Sequence, residues 1–520
     1  MLLTGLPLEM LDKVASCIDD REGVLSFGLS SKRLYSIVSK SHLQYCDIRV
    51  PLSMPALWAR LSRPDDMRAS LIRSLTILHD EPVDSESFFR NFKLERRVLE
   101  EYAEEGSRSN VKGDPVVFNG VDEGGIIPAV RRMINLRQFR WLRQQSVVVF
   151  GGDNLWTAIN SLPMLKDLHV VDLNDDNDKR VFATSDSFQS LRGFSSLTLT
   201  TAAFYNVGTE PSDTAPLVPM LTEHCPDLQS LDLNLGKYYG VTDPRAGRLL
   251  QDAKWRSLRV LHMKGMSCNA ADLSKFLCCH PTIEDLQLPE AMPGPTWDSV
   301  VLVDDALPNL HVLKCHSPTA AALLKNPKAL RCLRILSGID LDDTVEMEDY
   351  FTLDEDWYAL HGAEWEDDTT ASPWKARLLE GINAHPTITS IGSFRFDMPS
   401  RLVELAGVTP SLTKLSMEGY YGPSFVSDDE WADALSHFVR LEHLGWAQAL
   451  DAISSGSEVV ARKVIRLLLS ACPNLRTIDA RGRETVIIEL GTGTNSKKVE
   501  EMTSLGKIEC NGNVHTAYVG

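Results

Sequence analysis

The chain has 520 residues, too many for one ordinary globular core, and is read as several domains or a repeat array. Its 43% apolar and 24% charged content is that of an ordinary soluble protein, with no apolar run near the roughly 20 residues that span a bilayer. A formal charge of -18 argues against a nucleic-acid-binding surface, which needs concentrated Lys and Arg.

The first element in chain order is the stretch Leu6 to Val38, which reads as three short helices. Pro7 suits a first helical turn. Met10, Leu11, Val14 and Ile18 make one apolar helical face. Asp19-Asp20 can cap a second helix with Val24, Leu25, Phe27 and Leu29. Ser30-Ser31 can cap a third with Leu34, Tyr35, Ile37 and Val38. The unit carries more apolar positions than its own three-way contact needs, which points to a partner.

Leu6-Pro7-x-Glu9-Met10-Leu11 followed by Ser31-Lys32-Arg33-Leu34 resembles an F-box, over roughly the first 45 residues. Leu34 stands where many F-boxes have Trp. The wider layout resembles the fungal-type F-box/leucine-rich-repeat proteins. That resemblance implies docking on a Skp-type adaptor and, through it, a cullin–RING ubiquitin ligase. It also implies the contact residues Leu6, Pro7, Glu9, Met10, Leu11, Val14, Ile18, Leu25 and Leu34.

Residues 46–126 read as a linker with an early repeat-like part. Asp47 to Val50 is strand-like and ended by Pro51, Ala56 to Leu61 is helix-prone, and Ser74 to Leu78 is a second strand. Glu81 to Gly125 mixes a charged helical run with Gly- and Ser-rich flanks and reads as a mobile insertion.

From about Ile127 to the end, a Leu-x-x-Leu-x-Leu phrase recurs. Its copies are Leu136-Phe139-Trp141, Leu165-Leu168-Val170, Leu191-Phe194, Leu228-Leu231-Leu233, Leu258-Leu261-Met263, Ile283-Leu286-Leu288, Leu310-Leu313-Cys315, Leu330-Leu333-Ile335, Ile388-Ile391, Leu412-Leu415-Met417, Leu441-Leu444-Trp446 and Leu475-Ile478-Ala480. The spacing is irregular but near the leucine-rich-repeat period. Helix-like stretches precede most copies and stop at Cys225-Pro226, His280-Pro281, His385-Pro386, Thr409-Pro410 and Cys472-Pro473, where proline turns the chain toward extended geometry. One helix and one strand cannot bury their apolar faces alone, so the units must stack. The expected fold is α/β: a solenoid with a parallel concave sheet and outer helices, behind an N-terminal helical domain of residues 1–45. The acidic segment near 340–370 breaks the period and reads as a solvated loop or one degenerate repeat, or as a gripping loop for a basic partner. The strand-like Val486 to Leu490 and Lys507-Ile508-Glu509 can close the last edge.

No catalytic or metal motif appears. The ten cysteines contain no C-x-x-C pair and read as buried reduced thiols of a cytosolic or nuclear protein. The N-terminus has no basic stretch leading into an apolar core, so secretion is not expected. Asp172-x-Asn174-x-Asp176 lacks the Gly and Glu of a calcium loop, and Gly491 to Thr494 lacks the Lys of a P-loop. His224, His280 and His385 read as capping residues. The expected role is a non-catalytic adaptor without cofactor that holds a protein target for ubiquitination. The alternatives are a leucine-rich-repeat scaffold without ligase association and, less favoured, an α/β enzyme. Strand alternation places His169, Asp232, Asn234, His262, Lys264, Gln287, Lys314, Ser416 and Glu418 on the concave face, where a target would lie. On that placement Asp232→Ala should cost less than about 0.5 kcal/mol.

Overall fold

The structure, a computed structural model, describes residues 6–18, 21–39, 46–78, 125–143, 154–172, 185–201, 214, 217–235, 246–266, 268–288, 299–341, 373–395, 398–417, 428–446, 467–479, 485–490 and 515–519. The insertion at 81–124 and the acidic segment 342–370 lie outside these residues. The chain divides into two compact units, Met1–Ser267 and Cys268–Gly520.

The first unit opens with three helices, α1 (Leu8–Ser16), α2 (Arg21–Leu29) and α3 (Lys32–Val38). Pro7 stands just ahead of α1, its carbonyl accepting from Leu11 N at 3.1 Å. Ser31 caps α3, its Oγ accepting from Leu34 N at 3.1 Å. Leu11, Leu34 and Ile37 form one buried cluster, with Leu6 and Phe27 packed on it. Ala15, Val24 and Val38 form another, with Ile18 and Phe27. A Cβ at Gly28 would lie 3.2 Å from a Val38 methyl, so α2 and α3 touch closely there.

Seven parallel strands follow, paired in chain order: β1 (Asp47–Pro51), β2 (Ser74–Leu78), β3 (Gln138–Arg143), β4 (Asp167–Asp172), β5 (Ser196–Thr201), β6 (Ser230–Asn234) and β7 (Val260–Lys264). Between them run α4 (Pro55–Leu61), α5 (Arg68–Leu71), α6 (Ile126–Arg131), α7 (Leu155–Asn160), α8 (Asp186–Gln189), a π-helical turn at Met220–His224 and α9 (Gly247–Asp252). The register aligns Leu75, Phe139, Leu168, Leu197, Leu231 and Leu261 in one buried row. Ile77, Trp141, Val170, Leu199, Leu233 and Met263 form a second. The ladder therefore starts before residue 127, and Ile72-x-x-Leu75-x-Ile77 is a copy of the phrase that the sequence reading passed over.

The second unit contains α10 (Ala270–Cys279), β8 (Asp285–Gln287), β9 (Val312–Lys314), α11 (Ser317–Leu323), β10 (Ile335–Ser337), α12 (Pro373–Asn383), β11 (Ser390–Phe394), α13 (Pro399–Val408), β12 (Lys414–Met417), α14 (Asp428–Ser436), β13 (His443–Trp446), helical residues 467–471 and β14 (Thr477–Asp479). Strands β8 to β14 are parallel in chain order. β15 (Thr485–Leu490) pairs antiparallel with β14, and β16 (His515–Val519) parallel with β15. Leu286, Leu313, Leu336, Ile391, Leu415, Leu444 and Ile478 make the buried row.

Two copies of the phrase shift by three residues from the sequence reading. Leu336 pairs with Leu313, so the copy is Leu333-x-x-Leu336, and Ile335 lies partly exposed. Likewise Leu197 pairs with Leu168, so the copy is Phe194-x-x-Leu197-x-Leu199. In both, an apolar residue three positions early belongs to the preceding turn: Leu333 N donates to Leu330 O at 3.1 Å.

Strands β2 to β7 and β9 to β14 begin the same way: one carbonyl accepts two consecutive N–H groups of the next repeat. Arg73 O takes Arg137 N and Gln138 N at 2.7 and 3.0 Å, and Arg137 O takes Lys166 N and Asp167 N at 2.9 and 3.0 Å. In the second unit Thr389 O takes Thr413 N and Lys414 N at 2.9 and 3.1 Å. An asparagine just before the first apolar position adds a side-chain bond to the previous repeat. Asn135, Asn309 and Asn474 donate to the carbonyls of Ser70, Pro281 and Val439 at 2.7, 3.1 and 2.8 Å. The residues before proline share one backbone twist: φ/ψ is -124/57 at Cys225, -124/62 at His280 and -125/60 at Thr409. Helices approach closely at Gly381, whose Cβ would lie 2.7 Å from Leu324 Cβ.

Because Leu231 and Leu286 are wholly buried in these rows, Leu231→Ala and Leu286→Ala should each cost about 2–5 kcal/mol in a denaturant melt.

Candidate protein-binding surfaces

Two kinds of surface are available: the helical unit at the front and the sheet face turned away from the buried rows. On the helical unit the predicted contact residues separate into two groups. Leu11 and Leu34 are core, wholly enclosed, and cannot meet a partner while the unit is folded. Leu6, Val14 and Ile18 are partly buried, Leu6 and Ile18 against the two core clusters. Pro7 and Glu9 are exposed. Met10 is 53% and Leu25 42% exposed, and Leu8, Leu29 and Tyr35 are exposed as well. Helical periodicity marked an apolar stripe on α1 but did not show which members face α3. Arg73 Nη1 donates to Ile18 O at 3.3 Å and ties the helices to the first repeats.

In the first unit, the outward row along the register is Arg49, Thr76, Arg140, His169, Thr198, Asp232 and His262. His169, Asp232 and His262 are half-buried, Lys264 is only 13% exposed at its side chain, and Asn234 is buried. These groups hold one another. His262 Nδ1 lies 3.3 Å from Asp232 Oδ2, and Lys264 Nζ 4.0 Å from Asp232 Oδ1. One row earlier, Gln138 Nε2 donates to Asp167 Oδ2 at 2.8 Å, and Ser74 Oγ to Gln138 Oε1 at 3.2 Å. Arg49 Nε sits 3.4 Å from Asp47 Oδ2. Burial pushes the Asp232 carboxyl up, but the His262 hydrogen bond and the Lys264 charge outweigh it and hold the group below its usual range. Asp232 is thus a bonded part of the face. The cost of Asp232→Ala rises from under about 0.5 kcal/mol to roughly 1–2 kcal/mol.

In the second unit, the outward row runs Gln287, Lys314, Ser337 and Gly392, then beyond a bulge in β11 Ser416 and Gly445. Gln287 is buried, and Lys314, Ser337 and Ser416 are half-buried. Glu418 lies outside the described residues. A Cβ at Gly392 would lie 3.0 Å from Ser337 Oγ, and one at Gly445 2.8 Å from Ser416 Oγ. The sequence reading missed both glycines. A Gly at the middle of a Leu-x-Leu-type strand was the available signal.

Three histidines are held neutral by burial. Burial, then the Arg140 charge, push His169 down to about 4, against a smaller opposing pull from Asp232. Burial lowers His280 and His385, against the carbonyls of Phe276 and Gly381 that their Nδ1 atoms meet at 2.7 Å. His280 also stacks on Phe276, ring centroids 4.0 Å apart. Both thus bond back onto their own helix ends. Burial likewise pushes the Cys472 thiol up to about 11 and Cys268 up to about 12, as for inert packing thiols. Among the described residues no three His, Cys, Asp or Glu side chains converge on a metal site, and no helix is long and apolar enough to cross a membrane.

No protein-family model matches the chain, and no curated protein matches it. Among solved structures, it is similar to one described as the crystal structure of Rad7 and Elc1 complex in yeast. The identity is 14% and the TM-score 0.31, over 79% of this chain and 88% of that one.

The buried histidines set an acid dependence. An unfolded chain binds protons near the ordinary value of 6.5, whereas folded His169 does so only near 4. Their contribution is therefore complete above pH 6.5 and is lost as the pH falls from there toward 4. We expect the urea midpoint to fall between pH 7.5 and pH 5. His169→Phe should flatten that fall by on the order of 1–3 kcal/mol.

Proposed function

We propose that the protein is a substrate-binding adaptor: its N-terminal helices dock on a Skp-type adaptor of a cullin–RING ligase, and its repeats hold a protein target. The observation that carries the reading is the apolar surface left over on a small closed unit. With Leu11, Leu34 and Ile37 already forming its core, the unit still exposes Leu8, Met10, Leu25 and Leu29. The F-box-like pattern of Leu6-Pro7 and Ser31-Lys32-Arg33-Leu34 gives that surface its partner. Ubiquitin transfer belongs to other subunits, and this chain contributes proximity, a raised effective concentration of target lysines. A second reading, a repeat scaffold whose helices are an N-terminal cap, draws on the Arg73–Ile18 hydrogen bond that joins them to the sheet.

Titration calorimetry of the intact chain against a purified Skp-type adaptor separates the two. Met10→Ala with Leu25→Ala, both exposed, should weaken binding about thirtyfold or more and leave the melting curve unchanged. Leu11→Ala should instead loosen the helices themselves, by about 2–5 kcal/mol. Absence of heat at tens of micromolar, on the order of a weak specific interface, would leave the cap reading standing.

A further inference from the structure

We propose that the edge of the first unit where its helices turn into β2 to β7 binds an extended acidic segment of a protein partner, one with apolar side chains among its carboxylates. This rests on the reading that the repeats hold a protein target, and it names the chemistry of that target.

The chain as a whole is acidic, at a formal charge of -18, and this edge is the reverse. The six short stretches that lead from a helical turn into β2 to β7 carry eight Lys or Arg against one acidic residue, Asp227. Glu223 and Asp252 end the two neighbouring helical turns, and Asp252 lies 3.7 Å from Arg248 of its own helix. The same stretches before β11 and β12 of the second unit, residues 384–389 and 409–413, carry no Lys, Arg, Asp or Glu. The shared carbonyls set the basic positions side by side. Arg73, Arg137, Lys166, Ser195, Gln229 and Arg259 each stand just ahead of a strand, and each is hydrogen-bonded through its backbone to the next. Rungs of a sheet lie about 4.8 Å apart, so these five steps cover about 24 Å, the length of about seven extended residues.

The charges are open to a partner. Lys166, Arg192, Lys254, Arg256 and Arg259 are exposed, and Lys166 Nζ donates to Gly193 O at 3.0 Å, which brings Lys166 next to the Arg192 turn. Arg137 and Arg259 also make contacts within the protein, so the edge offers a net positive field more than a set of bare side chains. Exposed apolar groups stand among the charges: Ile134 is 53% and Met164 45% exposed, three and two residues ahead of Arg137 and Lys166. That mixture selects a protein segment over a nucleic acid. Single strands bind by stacking bases on aromatic rings, and the aromatic residues of these stretches, Phe194 and Trp255, are buried. A long polyanion would also run beyond this edge onto an acidic chain, whereas a short acidic segment would not.

The test pans a display library of random peptides of about twelve residues on the intact chain, then measures enriched peptides by fluorescence polarisation at about 50 and about 300 mM salt. The expected result is enrichment of acidic peptides that also carry apolar residues, with affinity about tenfold or more weaker at the higher salt. Lys166→Glu with Arg192→Glu should weaken them by about tenfold or more. Arg248→Glu with Lys275→Glu, the same charge change on exposed helical residues, should do so by less than about threefold. Met164→Ser should weaken them while leaving the salt dependence as it is. These side chains are exposed, so melting temperatures should match wild type; Lys254→Glu with Arg256→Glu is the second pair should the first lower it. No enrichment of acidic peptides, or binding indifferent to both pairs, would overturn the proposal. So would an oligouridylate or phosphatidylserine vesicles that displace the peptides and bind more tightly, or a wild-type dimer in sedimentation that Lys166→Glu with Arg192→Glu disperses. Adaptor binding by calorimetry, expected unchanged in these variants, tells failure of this proposal from failure of the adaptor reading.

Discussion

One carbonyl per repeat, accepting two successive N–H groups from the next, is the interaction on which each sheet depends. It fixes where a strand starts relative to its predecessor, from Cys46 O, which takes Arg73 N and Ser74 N, to Glu442 O, which takes Arg476 N and Thr477 N. Register in a parallel sheet decides everything downstream, because a slip of one residue turns every side chain to the opposite face. With the start fixed, Leu231 joins Leu197 and Leu261 in the interior, and Asp232 must face outward beside His262. The asparagines at 135, 309 and 474 reinforce the same junction from the side.

Burial in such an array is shared between neighbours, so no repeat is stable by its own contacts. Trp255 illustrates this: its Nε1 donates to Leu221 O at 2.9 Å, a carbonyl of the preceding repeat. Cys472 does the same with Leu435 O at 3.3 Å. Polar groups that would be expensive to bury thus become ties between repeats.

Much of this architecture was legible from sequence because Leu-x-x-Leu-x-Leu and the X-Pro stops recur with their own spacing. The phase was not legible where apolar residues stand three apart on both sides of a turn, as in Leu330, Leu333 and Leu336. Either pair fits the phrase, and only pairing with Leu313 selects one. The surface residues were less accessible still. Alternation put Asn234 and Gln287 outward, but not the burial they have there. The Asp232–His262 contact joins residues thirty positions apart. In the front helices the apolar surplus was visible, yet Leu11 and Met10 are sequence neighbours with opposite fates, one enclosed and one open.

The X-Pro step and the shared carbonyl together make the stretch from helix end to strand start nearly invariant in length. His280 leads to Asp285 as Thr409 leads to Lys414 and Cys472 to Thr477. In these repeats variation in length falls outside that stretch, and the long intervals Leu78 to Ile126 and Ser337 to Pro373 both follow strands. Length there is thermodynamically cheap, each doubling of a loop costing only about 0.6 kcal/mol. The chain after those strands is therefore open to evolutionary elaboration, and to a grafted tag or domain, while the helix-to-strand stretch of the X-Pro repeats admits no added residue without rephasing the strand behind it.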